Sequence, residues 1–378
     1  MKVGIIGGGV FGLYCAKVLL DDGHRVDVYE QGAELGQCAT KVNQARLHNG
    51  YHYPRSDKTA KQCIEGFNKF RLEFKDAINE NFKQYYAIAK EGSKVSSVEY
   101  LNFLERLNIP SKIVNLNSDI INSELIDLTI EAIEYSFDWK KIVDKLRQDV
   151  IDRRGYIYLG HKVLSGEVKD ENKKLKVLYN GDILEREYDI VLNIAYSNIN
   201  GLNEKFGLSK LPLEFEMCEV CLIELPHPYK NYGITIMDGD FTSVMPFGLT
   251  GFHSITNVRR TPHERSCNGL PLFSCNKKEN ECRPDNIEIC IDCPYRLQSG
   301  YEGMKNFAID YIPFMKYANV IDSMFTVKTI LSDVDDTDER PSVIFEYPEA
   351  KGYYVIFAGK VNTIMDIGLE LISKIKEV

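Results

Sequence analysis

The amino-acid sequence predicts an α/β protein with two domains, of which the first is built on a parallel β-sheet and is discontinuous along the chain. The first thirty residues have the pattern of a strand, a glycine-rich turn, a helix and a second strand. The apolar runs at 188–194 and 352–357 have the composition of buried strands that return to the same sheet. With 378 residues the chain also exceeds the ~250–300 residues at which a single core stops growing.

The returning strands determine the predicted domain boundaries. We assign the nucleotide-binding domain to residues 1–55, 138–204 and 335–378, and a second, substrate-binding α+β domain to residues 56–137 and 205–334. A mixed or antiparallel sheet is expected in the second domain, because much of its sequence alternates between apolar and polar residues. Its segment 266–296 is rich in Cys and Asn and is predicted to be a loop.

Local signals predict individual elements. Residues 56–110 contain many Lys, Glu, Phe and Tyr residues and few helix breakers, which predicts amphipathic helices. A further helix is predicted over 139–154, with Asp138 as its N-cap. The dipeptide Asn-Gly at 180–181 predicts a tight hairpin turn within an antiparallel meander at 156–188.

Composition and charge exclude several classes of protein. A net charge of −9 gives no general attraction to phosphate backbones, so we expect no nucleic-acid partner. No apolar stretch approaches the ~20 residues of a membrane span, and the apolar start lacks the pattern of a signal peptide. We therefore expect a cytoplasmic protein whose ten cysteines are thiols or metal ligands rather than a disulfide framework.

The turn after the first strand has the spacing Gly7-x-Gly9-x-x-Gly12, and Glu30 ends the second strand. Gly7 permits a tight turn, Gly9 allows close approach to a pyrophosphate, and Gly12 allows close packing of helix on strand. The N-terminus of the following helix faces the phosphate charge. Glu30 can accept hydrogen bonds from ribose hydroxyls. The combination predicts a Rossmann-like dinucleotide site, for FAD or for NAD.

The segment 43–53, which contains His48-Asn49-Gly50, resembles the D-amino acid oxidase-like superfamily of FAD-dependent oxidoreductases. Within that group it is most similar to the 2-hydroxyglutarate and glycerol-3-phosphate dehydrogenase branches, where a His-(Ser/Gly)-Gly motif lies against the flavin. Asn49 departs from the usual small residue. The resemblance implies FAD as the cofactor.

The C-terminal part of the chain also resembles this superfamily, in which the last helix begins beneath the flavin. Gly359-Lys360 occupies the matching position, where backbone N–H groups and a cation stabilise negative charge on the flavin. Arg340-Pro341 matches the Arg-Pro that precedes the last strand in many members. The candidate FAD-binding residues are Gly7, Gly9, Val10, Phe11, Gly12, Glu30, Gln31, Arg46, Leu47, His48, Asn49, Gly359, Lys360, Val361, Asn362 and Thr363.

The candidate catalytic residues are His48, His52, Tyr51 and Arg340. His48 is the first choice for a base that removes a substrate proton, and His52 is the second. A purely structural hydrogen bond from His48 to the flavin is the alternative. Tyr51 is expected to shape the pocket. Arg340 is expected either to bind a substrate carboxylate or to pair with the acidic cluster at 335–339.

Four cysteines lie within nineteen residues of the irregular segment, at Cys275, Cys282, Cys290 and Cys293. The last two have the Cys-x-x-Cys spacing that lets two thiolates bind one metal ion. The wider spacing of the first two is unusual for a zinc site. We therefore consider a structural zinc, an iron–sulfur cluster, and no metal at all, with thiols or a reversible disulfide instead.

Together these features predict an enzyme that oxidises a C–H bond next to an amine or a hydroxyl by hydride transfer to FAD. Its substrate is expected to be a small metabolite, either sugar-derived or carboxylated, and the electron acceptor is oxygen or another carrier. Two alternatives stay open. One is a non-redox flavoenzyme similar to a sugar mutase, and the other is a flavin-bound protein with a structural role.

Overall fold

The structure is a computed structural model that describes residues 1–169, 171–277, 282–332 and 340–377. In chain order the strands are β1 (Lys2–Ile6), β2 (Arg25–Glu30), β3 (Arg46–Leu47), β4 (Ile78–Asn79), β5 (Lys83–Ala89), β6 (Ser111–Ile113), β7 (Ile126–Ala132), β8 (Tyr135–Phe137), β9 (Tyr156–Leu159), β10 (Lys162–Glu167), β11 (Lys173–Tyr179), β12 (Asp182–Tyr188), β13 (Ile190–Asn193), β14 (Leu213–Glu224), β15 (Tyr232–Met237), β16 (Thr242–Pro246), β17 (His253–Asn257), β18 (Pro262–Ser266), β19 (Asn319–Leu331), β20 (Val343–Glu346) and β21 (Tyr353–Phe357). The α-helices are α1 (Val10–Asp21), α2 (Asp57–Glu73), α3 (Ser97–Arg106), α4 (Trp139–Asp152), α5 (Ile199–Lys205), α6 (Tyr301–Tyr311) and α7 (Ile364–Ile375).

The first sheet has six strands in the order β20-β21-β13-β1-β2-β9. All neighbours are parallel except β20 and β21. Helices α1, α4 and α7 share one hydrophobic core with this sheet, and the small antiparallel sheet β10-β11-β12 shares a second core with it. Since the six strands come from distant parts of the sequence, the discontinuous parallel sheet of the predicted fold class is confirmed.

The second large sheet has nine strands in the order β18-β14-β17-β16-β15-β5-β7-β6, with β19 paired to β14. Strands β15 and β5 run parallel, and the other pairs run antiparallel. This mixed sheet confirms the second part of the predicted fold class. A short sheet, β3-β8-β4, brings the chain around residue 46 next to it. The domain boundaries themselves stay a prediction.

Two local predictions need correction. Residues 56–110 are not all helical, because β4 and β5 lie between α2 and α3. Strand β5 is buried at nearly every position between β15 and β7, so it lacks the alternation that marks a half-exposed strand. The meander at 156–188 was also predicted too long, since β9 joins the parallel sheet beside β2.

Two local predictions are confirmed. The side chain of Asp138 caps α4 by accepting a hydrogen bond of 3.1 Å from the backbone N–H of Lys141. Asn180 and Gly181 both have positive φ, 50° and 87°, as a two-residue turn between β11 and β12 requires. In the described parts of the chain, every helix is too short or too polar to cross a bilayer.

One buried carboxylate joins β14, β18, β19 and the start of α6. Glu219 is 0% exposed and accepts hydrogen bonds of 2.8 Å from His263 Nε2 and from the backbone N–H of Gly300. The hydroxyls of Ser299 and Ser323 also donate to it. Burial raises the pKa of Glu219, but these donors outweigh burial and lower the pKa to about 2.

We expect Glu219→Gln to lower the free energy of unfolding by about 2–4 kcal/mol. The reason is that the NH₂ group of the new amide would face N–H and O–H groups that donate to the carboxylate in the unmodified protein. The carboxylate stabilises the fold fully above pH 4.5 and less as the pH falls toward 2, so the deficit should shrink in acid. Urea unfolding at several pH values measures both effects. Glu224→Gln, at an exposed position of the same strand, is the control. Equal stabilities of the two variants would contradict the assignment.

Candidate active site

Residues of both large sheets line a cavity of about 740 Å³. Glu30 and His161 lie in one region of its wall, and Thr235 and Thr256 in another. The predicted cofactor-binding residues that line it are Gly7, Gly9, Val10, Phe11, Gly12, Glu30, Gln31, Arg46, His48, Gly359, Lys360, Val361 and Asn362. Leu47, Asn49 and Thr363 are not among the described residues of the wall.

The glycine-rich turn has the backbone that its sequence predicts. Gly7 has a φ of 117°, which strains any residue with a side chain. A Cβ atom on Gly12 would lie 2.0 Å from the carbonyl oxygen of Gly7, so helix and strand are in backbone contact there. Gly9 is the N-cap of α1 and supplies no side-chain cap. The N–H of Val10 donates to Thr40 Oγ1 at 3.1 Å, and the next residues of the first turn of α1, Phe11 and Gly12, line the cavity, where their N–H groups suit a phosphate group.

Two backbone N–H groups form hydrogen bonds with the carboxylate of Glu30. Its Oε2 accepts a hydrogen bond of 2.9 Å from Gly8 N, and its Oε1 accepts one of 2.8 Å from Gly32 N. Burial raises the pKa of Glu30, and the backbone donors oppose that effect. Each carboxylate oxygen keeps a second lone pair for a ribose hydroxyl. Turn, helix terminus and acid thus fit the pyrophosphate and adenosine ribose of FAD.

A buried ion pair forms another part of the wall. Arg46 Nη1 lies 3.5 Å from Glu134 Oε2, and both side chains are almost fully buried. Tyr86 donates a hydrogen bond of 2.5 Å to the same oxygen and accepts one of 2.7 Å from Arg46. Arg46 Nη2 donates to Thr235, at 2.7 Å, and to Ser243. The guanidinium of Arg46, which is predicted to bind the cofactor, therefore makes its hydrogen bonds to protein groups of the cavity wall.

Glu134 was missed by the sequence analysis, although it is the acid closest to the predicted base. Its Oε1 lies 3.5 Å from His48 Nδ1 and accepts a hydrogen bond of 3.0 Å from the backbone N–H of Asn49. Burial raises the pKa of Glu134, but His48, Arg46 and Tyr86 outweigh it and hold the pKa below its ordinary value. The available sequence signal was an acid just after a buried strand, at the junction of β7 and β8.

His48 is a neutral imidazole at the cavity wall. Burial lowers its pKa to about 4, although Glu134 acts in the opposite direction. Its Nε2 lies 3.3 Å from the hydroxyl of Tyr53. Its backbone carbonyl accepts a hydrogen bond of 3.3 Å from the side chain of Asn362, which links the motif to the start of α7. A neutral imidazole next to a carboxylate can accept a proton.

The other three predicted catalytic residues occupy different environments. The His52 ring is 5.4 Å from the His48 ring, and burial holds the pKa of His52 well below its ordinary value. Tyr51 is not among the described wall residues, contrary to its predicted role. Its ring stacks on that of Tyr86, and its hydroxyl forms hydrogen bonds with the backbone of Pro110 and Ile133. Arg340 lines the cavity, and the acidic cluster predicted as its alternative partner lies outside the described residues.

Lys360 brings a cation to the wall at the start of the last helical segment. Its ammonium nitrogen lies 3.2 Å from the ring centroid of Tyr53 and 3.7 Å from Cys63 Sγ. The residue is only 8% exposed. The resemblance places a cation beneath the flavin at this position. A buried ammonium group there would stabilise the negative charge of a reduced flavin.

The four cysteines Cys275, Cys282, Cys290 and Cys293 line a separate cavity of about 30 Å³. No group of three or more His, Cys, Asp or Glu side chains in the described ranges is arranged to hold a metal ion, so the predicted zinc or iron–sulfur site is not supported. Burial raises the pKa of Cys275, Cys282 and Cys290. Burial of these three thiols disfavours the thiolate, which is the form that binds metal ions.

Comparison with known proteins places the site in context. The family model for FAD dependent oxidoreductases matches residues 2–237. FAD-dependent monooxygenase FPY4 of Fusarium mangiferae is 25% identical over an alignment of 386 residues, which covers 100% of this chain and 91% of that protein. FAD-dependent monooxygenase kojA of Aspergillus flavus is 37% identical over 263 residues, or 65% of this chain and 58% of that protein.

A solved structure shares the fold over the whole chain. Glycine oxidase from Geobacillus kaustophilus has a TM-score of 0.73 at 14% identity, and the match covers 100% of this chain and 95% of that one. The superfamily resemblance seen at 43–53 is confirmed by the family model. FAD as the cofactor is supported by the family match.

Two glycine variants separate folding from cofactor binding. We expect Gly12→Ala to destabilise the protein even without FAD, because its Cβ would collide with the backbone of Gly7. Gly9→Ala meets only Thr40 Oγ1, at 3.2 Å, so the apoprotein should keep its melting temperature while losing FAD affinity. Thermal melts of apoprotein and FAD fluorescence titrations measure the two effects. Unchanged FAD affinity in Gly9→Ala would contradict pyrophosphate binding at this turn.

Proposed function

The chain belongs to the family of FAD-dependent oxidoreductases, and from this premise we propose that it oxidises a C–H bond beside a hydroxyl or an amine of a small metabolite. The observation that carries the proposal is the neutral His48 imidazole at the cavity wall, with Glu134 behind it. Bound FAD would supply the hydride acceptor. The chain must then bind and orient the substrate and take up its proton.

His48 is proposed as the proton acceptor. The carboxylate of Glu134 favours the tautomer with the proton on Nδ1, which leaves the lone pair on Nε2, where the substrate would replace the Tyr53 hydroxyl as hydrogen-bond donor. When Nε2 takes the substrate proton, the new imidazolium lies beside the Glu134 carboxylate, whose charge stabilises it. Glu134 is therefore a positioning residue, and His48 is the catalytic one.

The wall around Arg46 supports a hydroxylated substrate. Glu134 compensates the charge of Arg46, so this region presents hydroxyl and amide groups rather than a net cation. Thr235 and Ser243 contribute hydroxyls, and Gln44 donates a hydrogen bond of 2.5 Å to the hydroxyl of Thr256. Such groups suit a sugar-derived molecule. Arg340, also in the wall, is the proposed partner if the substrate carries a carboxylate.

The proposed function is tested by mixing the FAD-loaded protein anaerobically with a panel of sugars, hydroxy acids and amino acids. We expect at least one hydroxy or amino compound to bleach the visible flavin absorbance, with the matching carbonyl or imine product. Isomerisation of a sugar without net electron transfer would contradict the proposed oxidation and indicate a non-redox flavoenzyme. A protein that no compound reduces would contradict the proposal as well.

We expect His48→Gln to slow flavin reduction about 10²–10⁴-fold, because the proton acceptor is lost. His253→Gln is the matched control, since His253 is also buried with a pKa lowered to about 4 but is outside the described cavity wall. In the unmodified protein, the rate should fall only as the pH approaches 4, where His48 becomes protonated. Stopped-flow absorbance measures these rates. A His48→Gln variant as fast as its control would leave His48 without a catalytic role.

We expect Glu134→Gln to slow flavin reduction at neutral pH about tenfold or more, because the imidazolium loses its counter-charge. The acid limb of the pH profile should also move to lower pH, since Glu134 is the group that raises the pKa of His48. Glu131→Gln, three residues earlier, is the control. A Glu134→Gln variant with a lower melting temperature but an unshifted acid limb would show a structural role only.

A further inference from the structure

The cysteine-rich segment, assigned above to the substrate-binding domain, contacts the nucleotide-binding part of the cavity. Its residue Ile287 exchanges two backbone hydrogen bonds with the side chain of Asn198. Ile287 N donates to Asn198 Oδ1 at 2.6 Å, and Asn198 Nδ2 donates to Ile287 O at 2.8 Å. Gln31, next to Glu30, which is predicted to bind the ribose, donates to the same carbonyl at 3.1 Å.

Ionic contacts and close backbone packing attach the residues on either side of Ile287. Lys205 Nζ lies 3.1 Å from Asp285 Oδ2 and donates to its backbone carbonyl at 2.9 Å. Glu288 pairs with Lys162 at the start of β10. A Cβ atom on Gly201 of α5 would lie 2.4 Å from the carbonyl oxygen of Asp285, so the segment rests directly on that helix. Residues 285–288 all line the large cavity.

The opposite side of the segment faces the small thiol-lined cavity. Cys282 and Cys290 lie there with Phe325, Val327 and Leu297. Three residues of this cluster belong to the nine-stranded sheet, namely Met217 on β14 and Phe325 and Val327 on β19. The thiol side of the segment therefore packs against the nine-stranded sheet, while its polar side contacts α5, β10 and the turns after β2 and β13.

We propose that residues 282–290 form a nucleotide cover, which closes the cavity over the adenosine part of FAD and slows release of the cofactor. The position follows from Gln31 and Lys162, which contact the cover and also line the wall next to Glu30 and His161. The proposal rests on FAD binding but is independent of the substrate and of the reaction. Cofactor retention is its function, and the thiol cluster is its anchor.

Hydrogen exchange of the apoprotein and the FAD-loaded protein tests the cover directly. FAD should protect the amides of 282–290 as well as those of 9–13 at the start of α1, and should leave those of 227–231 unchanged. Protection at 9–13 without protection at 282–290 overturns the cover while leaving FAD binding intact. Absence of protection at both sites contradicts FAD binding itself, so the two failures are distinguishable.

A pair of cysteine variants tests the anchor without touching the cavity wall. Cys290→Gln places a polar amide in the thiol cluster and should raise the dissociation constant of FAD about tenfold, measured by flavin fluorescence. Cys267→Gln, at an exposed position of the same segment, should leave it unchanged. Equal dissociation constants in two folded variants would overturn the anchoring role. If Cys290→Gln does not fold, the exchange experiment on the unmodified protein decides the matter alone.

Discussion

The buried pair of Arg46 and Glu134 is the interaction on which the arrangement of the cavity depends. Two charges in an almost dry interior are tolerated only when each is paired and hydrogen-bonded. That requirement is met by groups from three elements, since Tyr86 lies on β5, Thr235 on β15 and Ser243 on β16. Short strand β3 is thereby fixed against the centre of the nine-stranded sheet. The ion pair fixes the position of this part of the cavity wall, and because the two charges compensate each other, this part of the wall carries no net charge.

The same dry surroundings determine the protonation of His48. Burial penalises the imidazolium, so the ring is neutral at physiological pH even though a carboxylate lies 3.5 Å away. Glu134 does not hold His48 charged in the resting state, because its charge is already shared with Arg46 and Tyr86. It becomes important only when the ring gains a proton. A single carboxylate therefore serves both the structure of the wall and the proposed proton transfer.

The sequence was sufficient for features whose signals are local. The glycine turn, the end of β2 at Glu30 and the Asp138 cap each depend on residues within one β-α-β unit or one helical turn, and each has the predicted local structure. Strand β5 was not, because burial on both faces removes the alternation that identifies a strand. Glu134 was not found either, since its significance comes from contacts with residues more than forty positions away. The Cys-x-x-Cys spacing was compatible with a metal site, but spacing carries no information on how the four thiols are arranged in space.

The cavity wall is assembled from parts that are distant in sequence, and this links its integrity to the folding of the whole chain. Asn362, near the C-terminus, donates to the backbone carbonyl of His48. The backbone of Gly66 packs against the carbonyl oxygen of Asn362 so closely that a Cβ atom on Gly66 would lie 2.3 Å from that oxygen. The nucleotide cover adds a segment that has little apolar core of its own and gains its contacts from elements of both parts of the molecule. A ligand that binds only the native state stabilises it by mass action. FAD bound beneath the cover would therefore stabilise the contacts between both sheets, so cofactor retention and the joining of the two parts of the molecule depend on the same residues.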